Sequence, residues 1–244
     1  HLSIRRQRQM CIRDRIHTVR EPEIWRYQIE HREQTSDWHT NWLITDPQGA
    51  CVGYVSTALY GFGTGLIVNE ASALQRGPAL AALHYIKSLA REQNKPYVRL
   101  TMADTSALID IARVWGARSE DRYALQIHIP DPARLLRTIT PVLERRITTS
   151  MFAGFTHTLT LNIYRSAVTI AFENGAITSI TTSATAEGNP ENHIPPTLLA
   201  PLVLGWRNRA ELEAIYPDFG TWGMTQLLLD VLFPKMNAFI YQQY

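Results

Sequence analysis

The chain reads as an α+β protein, a mixed sheet with helices followed by an antiparallel sheet covered by helices. Three observations carry that reading. In Thr158-Leu159-Thr160-Leu161-Asn162-Ile163 the apolar residues fall at every second position, and the same period returns at Val168, Ile170 and Phe172, the signature of half-buried strands. Asn174-Gly175 separates that run from Ile177-Thr178-Ser179-Ile180, and an Asn-Gly pair suits the positive φ of a tight hairpin. Leu80, Leu83, Ile86 and Leu89 follow helical spacing in a segment bracketed by short apolar strands.

The three strands form a meander. Leu159, Leu161, Ile163, Val168, Ile170 and Phe172 gather on one face, and Thr158, Thr160, Asn162, Thr169 and Glu173 on the other. Only one side requires a cover, which the helices before and after must supply.

With 244 residues and 45% hydrophobic content, the chain can bury one large core or two modest ones. The net charge of +2, with many of the arginines in the first residues, gives no electrostatic footprint for nucleic acid. Cys11 and Cys51 lie far apart without a CxxC or a neighbouring His pair, so neither a zinc site nor a disulfide framework is indicated. A reducing, cytoplasmic setting is the expectation. No apolar run reaches the length of a spanning helix, and no apolar signal core follows the basic start.

From the front, His1–Arg15 reads as a non-native or disordered segment: Met10 to Arg15 looks like translated adaptor sequence, the alternatives being a solvated basic helix or a nucleic-acid or membrane arm. Ile16 to Arg32 is predicted as an amphipathic helix burying Ile24, Tyr27 and Trp25, with Glu21, Glu23 and Arg26 outside. Trp42-Leu43-Ile44, the turn Asp46-Pro47-Gln48-Gly49 and Cys51-Val52-Gly53-Tyr54-Val55 make a hairpin. Gly65 to Ala71 is the next strand, after Gly61, Gly63 and Gly65. These glycines precede a strand rather than a helix, so they read as a turn and not as a phosphate cradle.

Pro78 to Gln93 is a helix, with Pro78 in its first turn. Val98 to Met102 is a short strand, after which Asp104 is expected to cap a helix through Ile109, Ile111, Ala112 and Trp115, stopped by Gly116. Arg122 to Ile129 is predicted as a closing strand.

This order, with Val52-Gly53-Tyr54-Val55 before Val68-Asn69-Glu70 and then a long helix, resembles the GNAT acetyltransferase fold. In that family the corresponding strand leads to a Gln/Arg-x-x-Gly-x-Gly/Ala loop whose N–H groups hold the pyrophosphate of acetyl-CoA. Here the stretch is Leu74-Gln75-Arg76-Gly77-Pro78-Ala79. Its glycine is shifted by a residue and Pro78 removes an N–H, so this half is expected to be GNAT-like without binding acetyl-CoA. Glu70, a general-base candidate by position, then reads as a structural carboxylate.

Asp131-Pro132-Ala133-Arg134-Leu135-Leu136 opens a helix through Leu143 that hands over to the meander. Ile194-Pro195-Pro196, Leu198 to Trp206, Ala210 to Glu213 and Leu227 to Lys235 follow, with Leu232-Phe233-Pro234-Lys235 as the best short marker. Together they look like the sterol-carrier-protein-like domain that ends acetyltransferases of the enhanced-intracellular-survival (Eis) type. The resemblance covers Trp38 to Tyr244 and implies a GNAT-like domain at 16–130 and a sterol-carrier-like domain at 131–244.

In such enzymes an N-terminal GNAT domain holds acetyl-CoA and a tyrosine general acid, while a deprotonated amine attacks the thioester carbonyl directly. The resemblance therefore implies an acetyl-CoA-dependent N-acetyltransferase of which this chain is a part, acting on a small-molecule, lysine or N-terminal amine, with homo-oligomers as a precedent. It also makes the terminal carboxylate of Tyr244 the general-base candidate, because a desolvated carboxylate near an ammonium accepts its proton.

No residue is assigned to cofactor or metal binding. The histidines, His128 in a strand and His157 at a strand start among them, lack metal-ligand spacing. Cys51, inside a strand, reads as buried rather than nucleophilic. Trp206, Trp222, Phe233, Phe239 and Tyr241 would line a pocket if the last domain were a non-enzymatic carrier of a hydrophobic ligand; core packing explains the same residues.

Overall fold

A computed structural model describes residues 20–31, 39–58, 63–120, 126–186, 190–236 and 238–239. The chain divides into His1–Arg122 with Asn237–Tyr244 as one unit and Tyr123–Met236 as the other. Each has its own apolar core.

In the first unit, helix α1 (Pro22–Glu30) precedes the hairpin of β1 (His39–Thr45) and β2 (Cys51–Ala58). The turn forms because Asp46 accepts hydrogen bonds from the N–H groups of Gln48 and Ala50 at 3.0 and 2.8 Å, while Gly49 takes φ +83°. Strand β3 (Leu66–Ala71) pairs antiparallel with β2, and β4 (Val98–Leu100) lies parallel to β3, giving the order β1-β2-β3-β4. Between β3 and β4 runs helix α2 (Arg76–Glu92), and α3 (Ala107–Val114) follows β4. Val55, Leu66 and Val68 pack with Leu83, Ile86 and Leu89 of α2 and with Leu108 and Ile111 of α3.

Several expectations are corrected in this unit. Ile24 and Tyr27 of α1 are exposed and Trp25 is half-buried. The N-cap of α3 is Ser106 rather than Asp104, which pairs instead with Arg113 at 2.9 Å. Gly116 does end that helix, with φ +86°. Gly63 and Gly65 serve a turn: a Cβ on either would stand 2.3 or 2.2 Å from the Tyr97 ring system. Gly61 lies outside the described residues.

The described part of the second unit begins with Gln126–Ile129, which forms no strand; the rest of that expected strand, 122–125, lies outside the described residues. His128 is therefore not a strand residue. The expected single helix is two, α4 (Pro132–Thr138) and α5 (Thr140–Thr148), joined at Ile139. Pro141 explains the break, since it has no N–H to continue the ladder. Asp131 caps α4 by accepting from the Arg134 N–H at 2.9 Å.

The meander forms as β5 (His157–Asn162), β6 (Ala167–Glu173) and β7 (Ala176–Ser183) in the order β5-β6-β7. Asn174 and Gly175 take φ +50° and +80° at its hairpin. All six residues of the expected apolar face are buried. Their cover comes from α4 and α5 and from α6 (Pro196–Val203), α7 (Arg209–Ile215) and α8 (Gly223–Leu232). A short ribbon, β8 (Asn192–His193) with β9 (Gly220–Thr221), sits beside β5. There the buried Asn192 side chain accepts from the Asn162 N–H at 2.8 Å and donates to the Thr160 carbonyl at 2.7 Å.

Candidate functional site

The first unit concentrates polar groups on the sheet face away from its core. Ser56 faces Glu70 across β2 and β3, and Thr57 faces Val68, so Asn69 is an extra residue that bulges β3. On this face the Glu70 carboxylate, 4% exposed, receives both terminal nitrogens of Arg20 at 3.2 and 2.9 Å and the Tyr54 hydroxyl at 2.5 Å. Arg20 lies 4.5 Å over the Trp25 ring, which meets Tyr54 edge-on at 5.9 Å. Each partner is explained by the others: the buried carboxylate requires a cation, and the weakly hydrated guanidinium stacks on an aromatic face. Glu70 is thus held as a hydrogen-bond and ion-pair acceptor.

The loop before α2 turns inward. Ser72 donates its N–H to the Tyr54 carbonyl at 3.0 Å and accepts the Tyr54 N–H on its hydroxyl at 2.9 Å. Leu74 lies so close to Gly53 that a Cβ there would come within 2.3 Å. Pro78 stands among the first residues of α2, whose ladder begins with Ala79 N–H donating to Gln75. Beside the loop is a cavity of about 150 Å³ lined by Ser72, Leu74, Thr105, Ser106 and the carboxyl-bearing Asp110. A second, apolar groove of about 350 Å³ lies between β1 and α2, walled by Trp42 and Tyr85, whose rings meet edge-on at 5.1 Å.

Other expected residues distribute as follows. Tyr244 and Tyr241 lie outside the described residues. Cys51 is half-buried, its thiol 3.5 Å from the Gly53 carbonyl. His157 opens β5 and is exposed. Phe233 is in the core of the second unit, whereas Trp206 and Trp222 are exposed. Among the described residues no His, Cys, Asp and Glu groups assemble into a metal-ligating cluster, and no helix is long and apolar enough to cross a membrane.

Sequence reasoning missed Arg20, placed fifty positions from Glu70 with no local pattern to announce it. It also missed a polar network in the second unit. Arg209 donates to both oxygens of Asp230 at 2.9 Å and to Glu213, and the hydrogen bond to Asp230 holds its guanidinium above the ordinary value. The i,i+4 spacing of Arg209 and Glu213 was the readable part of that signal.

The fold has a counterpart among solved structures. The chain is similar to a GCN5-related N-acetyltransferase from Anabaena variabilis, with a TM-score of 0.55 and 16% identity. The likeness covers 100% of this chain and 59% of that one. At that identity it establishes the GNAT-like α+β fold. No protein-family model and no curated protein sequence matches the chain.

Proposed function

We propose that the chain is part of an Eis-type GNAT N-acetyltransferase that transfers acetyl from acetyl-CoA to an amine. In this reading residues 16–130 are its cofactor-free GNAT-like domain and 131–244 its sterol-carrier-like domain. The observation that carries the reading is the first unit's sheet, three antiparallel strands with β4 parallel to a bulged β3 and α2 crossing between them. The spent loop argues that this unit's role is architectural. Ser72 is engaged with Tyr54, Pro78 removes a donor, and the Asp110 carboxylate lines the adjoining cavity, a charge that disfavours a pyrophosphate group beside it.

The acetyl-CoA loop and the tyrosine acid would then belong to a further domain, as would most of the acceptor cleft. From this chain the terminal carboxylate of Tyr244 would accept the proton of the attacking ammonium, freeing the nitrogen lone pair. The acceptor is a small-molecule, lysine or N-terminal amine, the setting cytoplasmic, and the assembly a homo-oligomer. A hydrophobic-ligand carrier is the less supported reading, because the apolar face of the meander, from Leu159 to Phe172, is taken up by packing against the covering helices.

Titration calorimetry of this chain with acetyl-CoA tests the assignment. The expected result is no saturable heat at millimolar ligand, an affinity weaker than about −4 kcal/mol. Micromolar binding contradicts the architectural role of the first unit.

A further inference from the structure

The Asn174-Gly175 pair that turns the β6–β7 hairpin carries a chemistry of its own, and no other Asn in the sequence is followed by Gly. Where Gly follows Asn, no side chain shields the next main-chain nitrogen. Once that nitrogen has given up its proton to solvent, it can attack the Asn carboxamide carbon. A C–N bond forms, the bond to the side-chain nitrogen breaks, and ammonia leaves a five-membered succinimide. Water then opens the ring at either carbonyl, giving aspartate or isoaspartate, so water is the one co-reactant.

The fold presents the two reacting residues differently. Asn174 is exposed, whereas Gly175 is buried against the segment before β5. The Gly175 N–H donates to the Phe155 carbonyl at 2.8 Å, and the Asn174 N–H to the Thr156 hydroxyl at 3.2 Å. Just past the turn, the Ile177 N–H donates to Glu144 of α5 at 2.8 Å. A Cβ at Gly175 would stand 3.0 Å from the Gly154 nitrogen, so the docking is close. The proton that must leave is thus the one engaged with Phe155. Left-handed φ values at both residues, +50° and +80°, are held by the pairing of Glu173 with Ala176, and ring closure needs the main chain to rotate at this point. Docked, the turn withholds the nucleophile; undocked, it has the reactivity of a bare Asn-Gly pair.

We propose that Asn174 is a self-modification site, deamidated by the Gly175 nitrogen at a rate set by undocking of the turn from Gly154, Phe155 and Thr156. The inference stands on the chemistry of the turn alone. Its isoaspartate product adds a methylene to the main chain inside a two-residue turn, which disrupts the register of Glu173 with Ala176. An opening that ends in reaction is therefore not reversed by closing.

The test follows the gain in mass at Asn174 in the full chain at mildly alkaline pH, folded and in urea, with a short peptide of residues 171–178 in the same two solutions to calibrate the chemistry. The folded chain should react at least about tenfold more slowly than the unfolded one. Thr156→Ala, which removes the acceptor of the Asn174 N–H, should react about fivefold faster than the folded parent. Asn174→Gln, whose longer side chain closes its ring slowly, should abolish the signal. Equal rates in the folded and unfolded chain overturn the gating, as does a parent-like rate in Thr156→Ala. No mass gain at Asn174 in the unfolded chain overturns the site itself. Recovered from urea, the modified chain should exchange its β6–β7 amides faster than the unmodified one, and equal protection overturns the loss of register.

Discussion

Arg20 holds Glu70 with both terminal nitrogens, at 3.2 and 2.9 Å, with only 6% of either side chain exposed. A buried pair of this kind is costly to break from one side, because the remaining carboxylate loses the cation that neutralises it away from water. Arg20→Ala should therefore destabilise the first unit by about 3–5 kcal/mol. The double variant Arg20→Met, Glu70→Leu should recover much of that loss. Urea unfolding of the single and double variants measures the coupling, and equal loss from both would show that the stranded Glu70 charge is not what makes the single variant costly.

The same pair marks what could be read from the sequence. The meander between His157 and Ser183 was legible because its period of two depends on local spacing alone. The burial pattern of α1 was not. Apolar count places Ile24, Tyr27 and Trp25 inside, but of the three only Trp25 turns inward, over Arg20, and that choice is set by a carboxylate on β3. Gln126–Ile129 shows the converse: alternation supplies a strand's pattern but not a partner strand. Asp104 has the side chain of a cap, but its salt bridge with Arg113 takes the carboxylate elsewhere. The altered pattern at Gln75–Ala79 could be read in the sequence, whereas its place as the N-cap and first turn of α2, and the inward hydrogen bonds of Ser72 just before it, required the fold.

The β6–β7 hairpin depends on Gly175 for two reasons. Its φ is +80°, and a Cβ would stand 3.0 Å from the Gly154 nitrogen. Gly175→Ala should lower stability by about 1–2 kcal/mol from the left-handed backbone alone. Thermal unfolding checks it, and an unchanged midpoint contradicts the docked turn.

Leu161 is fully buried on the apolar face of β5, within the core formed with the covering helices. Leu161→Ala should cost about 2–5 kcal/mol. The loss should appear in the unfolding of the second unit, followed by core amide exchange. A cost below about 1 kcal/mol would mean that the space is open, as a ligand-carrying cavity requires.

Acid should weaken the end of the second unit. The hydrogen bond from Lys235, then that from the Asn208 backbone, holds the Glu211 carboxyl below its ordinary value. A lowered folded-state value means that the contribution is present above the unfolded carboxylate range, near 4.3, and is lost as pH falls through the folded value. The stability difference between the parent and Glu211→Gln should therefore be present at neutral pH and shrink as acid protonates Glu211. A pH-independent difference in unfolding midpoint would contradict this.

The most direct measurement of the acetyltransferase account is release of free CoA from acetyl-CoA with a panel of amines, run on this chain and on the protein extended upstream. The account predicts thiol release by the extended protein alone, with this chain silent. Release by this chain by itself would contradict the architectural role given to the loop at Gln75–Ala79, and silence in both would contradict the acetyltransferase reading.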